Sequence, residues 1–268
     1  REALRAHDLT VPIYTFDPVK GLPSWHELVE KGKQQDTDLA AYRLAVAEDD
    51  LLTLIYTSGT TGKPKGVYLS HKNVMTNVND CYHLLPDYFK KALSFLPLCH
   101  IFERMVVYLY FTKGVQIHYA ESLDTIVADI NDVKPDGFTT VPRVLEKVYD
   151  RIVAKGKELT GLKRHLFFWA LQLGLRYQEP GNNSAWFSLQ LKIARKLVFS
   201  KWQAALGGHI KLIVSGGAAL QPRLSRVFWA AGIPVLEGYG LTETSPVIAV
   251  NSLEKNGVKF GTVGRVLR

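Results

Sequence analysis

Along this chain short apolar runs alternate with stretches whose apolar residues recur every three to four positions, which predicts alternating strands and helices. Residues 51–57, Leu-Leu-Thr-Leu-Ile-Tyr-Thr, read as a strand, and residues 67–69 as a second one across a polar loop. Ser70 then stands where a helix cap belongs. Val74, Val78, Cys81 and Leu85 share the helical face that follows, and Pro86 marks its end. Strands are predicted at 93–96, 115–119 and 137–141, with helices at 124–133 and 143–154.

The clearest unit comes late. Residues 210–214 form a strand, Gly216 and Gly217 a turn, and Leu224, Val227, Phe228 and Ala231 one helical face that Gly232 ends. A further strand at 233–236 runs into a second glycine turn, Glu237-Gly238-Tyr239-Gly240. Strand, crossover helix and strand imply an α/β fold with a partly parallel sheet and flanking helices, whose ligand lies beyond the carboxyl ends of the strands. Both glycine turns fall at such ends. Residues 161–205 differ in texture. Leu162, Leu166, Ala170, Leu173 and Tyr177 line one basic helix, and Trp186, Phe187, Ile193, Leu197 and Trp202 belong to another, with 181–184 between them. Residues 1–50 read as a connecting part, with a short strand at 11–16, a helix at 24–33 and a polar connector at 34–38; residues 51–268 read as the core segment, with a helical insertion at about 161–205.

Composition adds limits. The chain has 268 residues, 47% of them hydrophobic, enough for a substantial core. Its 33 basic and 25 acidic residues give a formal charge of +8, which suits an anionic ligand or an anionic membrane surface without choosing between them. The basic residues are dispersed and no nucleic-acid motif accompanies them, so no nucleic-acid partner is expected. Two cysteines, Cys81 and Cys99, suggest a reducing, cytoplasmic setting. No apolar stretch approaches the ~20 residues that span a bilayer, so membrane contact is expected to be peripheral, on the cytoplasmic face. The chain begins at Arg1 and stops at Arg268 without a terminating pattern, and it is read as a segment of a longer protein.

Candidate chemistry centres on the first loop, Ser58-Gly59-Thr60-Thr61-Gly62-Lys63-Pro64-Lys65-Gly66. Glycines let backbone N–H groups approach oxygens, hydroxyls donate hydrogen bonds and lysines offset charge, which is what a polyphosphate needs. The alternative is a polar hairpin turn. The loop is no Walker A motif, because neither Gly59 nor Gly62 starts the Gly-x4-Gly-Lys-Ser/Thr spacing and no helix begins on it. Adjacent Cys99 and His100 do not read as nucleophile and base, since neighbours in extended chain point apart.

Residues 56–67 followed by Ser70-His71 resemble the signature of the adenylate-forming (AMP-binding) superfamily, which includes acyl-CoA synthetases, luciferases and peptide-synthetase adenylation domains. Segments 96–104, 215–220 and 237–244 are similar to three further motifs of that family, in its order. The resemblance implies a fragment of the large N-terminal adenylation domain of the acetyl-CoA synthetase-like fold, using ATP and Mg²⁺, with CoA as co-substrate. It implies that Thr57, Ser58, Gly59, Thr60, Thr61, Gly62, Lys63 and Lys65 hold the β- and γ-phosphates, and that Gly216, Gly217, Ala218, Glu237, Gly238 and Gly240 border the nucleotide while Tyr239 stacks on adenine. It further implies that Thr242 contacts the α-phosphate, that Glu243 ligates Mg²⁺ with Thr60 beside it, and that His100, Gly240 and Leu241 line the carboxylate site. Lys65, Thr242 and Glu243 would be the catalytic set. These roles suit a carboxylate attacking a phosphorus, where anion meets anion and charge must be spread onto a metal, lysine and fixed dipoles.

The form of His-Ile-Phe-Glu-Arg at 100–104 and the insertion resemble long-chain fatty acyl-CoA synthetases, implying fatty acid, ATP and CoA as partners. The insertion is either a helical pair packed on the body through its aromatics or a peripheral membrane patch. The resemblance also places, beyond residue 268, an aspartate for the ribose, a hinge arginine and a small C-terminal lid domain bearing a catalytic lysine. Two rivals stand beside this reading: a ligase with a non-CoA acceptor such as an acyl carrier protein, and a non-catalytic nucleotide-binding module. Chain length of the acid and oligomeric state are not readable.

Overall fold

Apolar runs become strands where the segments between them can fold as helices and cover both faces of a sheet. The computed structural model describes residues 11–58, 62–122 and 124–267, and the chain divides into two compact units, residues 1–47 and 48–268. In the first unit, α1 (His26–Lys33) forms where the helix was expected, whereas the strand expected at 11–16 is reduced to one bridge between Thr15 and Ser24. Pro18 has no amide to donate, and positive φ at Gly21 turns the chain back. The hydrophobic pattern did not announce α2 (Leu39–Ala45); it starts at Asp38, whose carboxylate accepts from the N–H groups of Ala40 (2.9 Å) and Ala41 (3.1 Å).

The second unit opens with an antiparallel hairpin, β1 (Leu51–Ser58) and β2 (Pro64–Ser70), which forms a separate two-stranded sheet. Ser70 ends β2 and caps α3 (His71–Cys81): its Oγ accepts from the Asn73 N–H at 3.2 Å, while Asn73 Oδ1 accepts from the Ser70 N–H at 3.0 Å. The strands β3 (Lys91–Ser94), β4 (Gln116–Tyr119), β5 (Gly137–Thr140), β6 (Leu212–Ser215), β7 (Val235–Gly240), β8 (Val247–Val250) and β9 (Arg265–Val266) make the main sheet. Its order is β4-β3-β5-β6-β7-β8-β9; the first five run parallel and the last two antiparallel. The fold is α/β with a mostly parallel sheet.

Helices cover both faces: α4 (Ile101–Thr112), α5 (Ile126–Val133), α6 (Pro142–Glu158), α7 (Gly161–Leu175), α8 (Ala185–Ala194), which runs through a π turn at Arg195–Phe199 into α9 (Ser200–Ala205), and α10 (Pro222–Ala230). Neighbouring residues on a strand serve opposite layers. Leu212 and Leu236 join Val74, Val78, Met105 and Leu109 on the side of α3 and α4, whereas Ile213 and Val235 join Phe167, Phe199, Trp202 and Phe228 on the side of α7 and α10.

Two departures from the sequence pattern matter for the site. Helix α4 was not announced because it lacks a polar face: Ile101, Glu103, Met105, Val106, Val107, Leu109 and Tyr110 are all buried. The second glycine turn is not a turn. The last strand continues through Glu237-Gly238-Tyr239-Gly240 because β8 returns beside it, pairing Gly238 with Val250 and Tyr239 with Ala249; the reversal falls at Thr242–Thr244.

Asp136 ties three strand entrances together. Its Oδ2 accepts from the N–H groups of Lys90 (2.7 Å) and Lys91 (2.9 Å), and its Oδ1 meets Lys211 Nζ at 2.8 Å, so the chain ends entering β3, β5 and β6 share one carboxylate. Burial raises its pKa, but the Lys211 ammonium and the two backbone N–H groups outweigh that and leave it below the ordinary value. A lowered carboxyl pKa contributes stability that is present above the unfolded value and is lost as pH falls through the folded one. Asp136→Asn is expected to cost about 1.5–3 kcal/mol near neutral pH, with the gap from wild type closing as the carboxyl is protonated in acid. Urea denaturation midpoints across that range measure it.

Candidate active site

A cavity of about 180 Å³ opens at the carboxyl ends of β6 and β7. On one side are His100, Ile101 and Phe102, the start of α4; on the other are Gly216 and Gly217 after β6 and the run Gly238 to Thr242. Two glycines are required here for different reasons: a Cβ on Gly240 would stand 1.9 Å from the Pro246 carbonyl oxygen, and Gly217 takes φ +78°, which L side chains rarely adopt. The 3₁₀ turn after β7 is held by Thr244, whose Oγ1 accepts from the Leu241 N–H at 2.9 Å, and this leaves Glu243 exposed at its tip. Tyr239 and Leu241 are half exposed at the cavity edge.

The β1–β2 hairpin lies beside this turn. Thr57 and Ser58 end β1, Lys65 stands across from Thr57 and Pro64 across from Ser58, and β2 approaches the Thr242–Thr244 turn. Gly62 takes φ +79° at the hairpin bend, and Lys63 and Lys65 are exposed. Gly59, Thr60 and Thr61 lie outside the described residues. The structure therefore gathers His100, Gly216, Gly217, Gly238, Tyr239, Gly240, Leu241 and Thr242 around one space, with Glu243 and the hairpin next to it. Two residues expected at the nucleotide do not line that space. Ala218 is exposed on the loop. The Glu237 side chain turns to the other face of β7, where it is buried and its Oε1 accepts from the Leu220 N–H at 3.0 Å. Burial raises its pKa against the pull of that N–H. Glu237 thus positions the Gly216–Leu220 loop instead of facing the cavity.

Three further residues hold the site together. Asn77 on α3 is buried; its Nδ2 donates to the Val247 carbonyl at 2.8 Å and its Oδ1 accepts from the Val247 N–H at 3.0 Å, fastening the hairpin's helix to β8. Arg104 Nη1 donates to Thr53 Oγ1 at 2.6 Å, fastening α4 to β1. Glu103, fully buried one turn into α4, accepts from Ser94 Oγ at 2.5 Å and from Thr139 Oγ1, so α4 is anchored over β3 and β5. Burial pushes the Glu103 carboxyl above the usual range, while the two hydroxyls pull the other way. Sequence reading passed over Asn77, although an asparagine between Val74 and Val78 on an apolar face was the available signal. Among the described residues no group of three or more His, Cys, Asp or Glu side chains could hold a metal by itself.

A parallel sheet with a glycine-bordered cavity at its strand ends, flanked by a hydroxyl- and lysine-bearing hairpin, defines a nucleotide-binding protein. The AMP-binding enzyme family matches residues 2–268, and the chain belongs to that family. Long-chain-fatty-acid--CoA ligase FadD15 of Mycobacterium tuberculosis is 34% identical over 245 residues, covering 89% of this chain and 40% of the relative. Long chain acyl-CoA synthetase 4 of Arabidopsis thaliana is 33% identical over 249 residues, covering 90% and 36%. The chain thus spans about 40% of the length of curated relatives it matches. Among solved structures, the inhibitor-bound N-terminal domain of FACL13 from Mycobacterium tuberculosis is similar with a TM-score of 0.61 at 21% identity, covering 99% of this chain and 54% of that one. The o-succinylbenzoate CoA synthetase MenE of Bacillus subtilis, in complex with ATP and magnesium ion, is similar with a TM-score of 0.54 at 23% identity, covering 83% and 37%. These two likenesses concern the fold.

Asn77→Leu leaves the Val247 N–H and carbonyl without their side-chain partner, which costs about 1–3 kcal/mol for a buried group. Amide hydrogen exchange at Val247 should rise sharply while exchange in β5 and β6 changes only by the global loss. Equal acceleration everywhere would deny Asn77 a local role.

Proposed function

We propose that this chain supplies the nucleotide and acyl sites of an ATP-dependent, AMP-forming ligase that activates a long-chain fatty acid as its acyl-adenylate and passes the acyl group to CoA. One observation carries the acyl half. The glycine-bordered cavity continues into a narrow apolar cleft of about 60 Å³, sharing Phe102, Val214, Val247 and Val250 with it and then running between α3, α4 and the sheet beside Met105 and Leu109. A carboxylate at the cavity with the first carbons of its chain entering the cleft fits that shape. Relatives named as long-chain CoA ligases support CoA over a carrier protein as acceptor.

In this reading the acid's carboxylate sits at the start of α4, where no side chain caps the first N–H groups and the helix end favours an anion. Its oxygen attacks the α-phosphorus and pyrophosphate leaves; the CoA thiol then displaces AMP at the acyl carbon. Tyr239 offers its ring to the base and Thr242 its hydroxyl to the α-phosphate. Thr57, Ser58 and Lys65, with Gly59, Thr60, Thr61 and Lys63 of the same loop, grip the leaving phosphates. A lone carboxylate, Glu243, beside phosphate oxygens and water is a donor set that suits Mg²⁺, which binds through one or two carboxylates. When bound, the ion spreads the triphosphate charge.

The surroundings belong to the same proposal. Two free thiols, one of them buried at Cys81 with its pKa pushed up to about 12 by burial, suit a reducing, cytoplasmic setting. Trp186, Leu189, Ile193 and Leu197 form an exposed stripe flanked by Lys192 and Lys196, which supports peripheral contact with an anionic bilayer.

The test is product analysis of the full-length protein with labelled ATP, Mg²⁺ and either palmitate or acetate, with and without CoA. Palmitate-dependent AMP and pyrophosphate, with palmitoyl-CoA only when CoA is present, is the expected result. Glu243→Gln should lower kcat by about 10²–10³. Preference for acetate would remove the long-chain assignment, and ADP as product would sink the adenylation mechanism.

A further inference from the structure

A second apolar cavity in the second unit lies away from the nucleotide site. It has a volume of about 360 Å³ and sits between the end of α6, the start of α7 and the π turn with α9. Ile152, Leu159, Leu166, Phe167, Val198 and Trp202 form its walls. None of these residues lines the nucleotide cavity or its apolar cleft. It lies on the other side of the main sheet, since Phe167, Val198 and Trp202 pack with Ile213 and Val235, whereas the cleft is walled by Leu212 and Leu236.

Its rim is cationic. Lys155, Lys163 and Lys201 come from three different elements to the same opening, no carboxylate lines it, and none of the three lysines is engaged in an ion pair or hydrogen bond among the described residues. From residue 161 to residue 205 the chain carries seven Lys and Arg residues against one acid, Glu179. The three lysines lay their stems on the apolar walls and keep their ammonium heads unpaired around one mouth, where they face whatever enters it.

Local backbone shapes the space. The π turn at Arg195–Phe199 widens the helix by one residue. Val198 and Trp202, four residues apart, line the cavity, while Phe199 stays in the core. On the opposite wall Gly156 lets α6 approach Phe167 so closely that a Cβ there would stand 2.1 Å from the ring.

We infer that this cavity binds one long-chain carboxylate, its aliphatic chain against Phe167 and Trp202 and its head group at Lys155, Lys163 and Lys201. The volume is at the small end of the roughly 300–1,000 Å³ typical of ligand sites, so it takes one chain, not the two of a glycerophospholipid. Charge complementarity selects an anion, and the dry walls select an aliphatic body. The inference does not depend on the nucleotide reading, because no residue is shared.

Trp202 in the wall supplies the readout. Monomeric 9,10-dibromostearate added to the full chain should quench the fluorescence contributed by Trp202, the fraction lost in Trp202→Phe. Ala205→Phe, an exposed rim position, fills the mouth without touching the core and should abolish that quench. The triple charge reversal Lys155→Glu, Lys163→Glu, Lys201→Glu should weaken it by about tenfold or more, and the methyl ester should bind as weakly to the unaltered chain. Far-UV circular dichroism certifies that each variant is folded, and Tyr239→Ala must leave the quench unchanged. A quench that survives both Ala205→Phe and charge reversal overturns the site. So does quenching of Trp202 by brominated phospholipid vesicles with none by the monomeric acid, which would make the region a bilayer contact.

Discussion

The candidate active site depends on one side-chain amide. The β1–β2 hairpin belongs to a sheet of its own, whereas Tyr239, Thr242 and Glu243 extend from the main sheet. Among the described residues no ladder of strand hydrogen bonds joins the two. Asn77 does so by exchanging two hydrogen bonds with Val247, pairing with a backbone unit as a neighbouring strand would. Because Val247 also pairs with Gly240, a shift of α3 is transmitted directly to the glycine run that borders the cavity. Arg104 adds a second tie from α4 to β1, so hairpin, helix and sheet close a ring around the space between them.

Buried carboxyls at strand ends are the second device. Asp136 gathers the entrances of β3, β5 and β6, while Glu103 and Glu237 act near the exits, the first under α4 and the second under the Gly216–Leu220 loop. They differ electrostatically. Asp136 has a lysine and is held ionised, so its contribution is lost in acid; Glu103 has only hydroxyls, and burial raises its pKa. A carboxyl raised above its unfolded value contributes stability fully present below that value and lost as pH rises through the folded one. Burial outweighs the hydrogen bonds at the end of the sheet that carries the site, whereas at the opposite end the lysine and backbone N–H groups outweigh burial.

How far the sequence led is best judged from particular elements. The strand–helix–strand unit around β6 and β7 was legible because Leu224, Val227 and Phe228 keep a helical period and Gly232 stops it. Ser70 was legible as a cap because its chemistry is local. Helix α4 was not, since burial on nearly every side erases the polar face that reveals a period. The run to Gly240 was misread as a turn because glycine density signals bends, whereas here it serves close approach between β7 and the chain at Pro246. Glu237 shows the same limit: a motif identifies a position, and only the pleat decides which face the side chain takes. Asn77 was missed because its partner is 170 residues away in the chain.

Net charge looked undiscriminating along the sequence and becomes specific in three dimensions. The hairpin brings only Lys63 and Lys65 to the phosphate side, while the insertion's seven basic residues against one acid amount to most of the formal +8. Were that charge present for the nucleotide, it would belong near the glycine cavity; the fold instead carries two of those residues, Lys163 and Lys201, together with Lys155, to the mouth of a second apolar space on the other side of the sheet. Solubility alone would be served by basic residues scattered over the whole surface. Charge gathered at the mouth of a dry cavity places cation and hydrocarbon within reach of one molecule, and that pairing is the chemistry of a fatty acid anion.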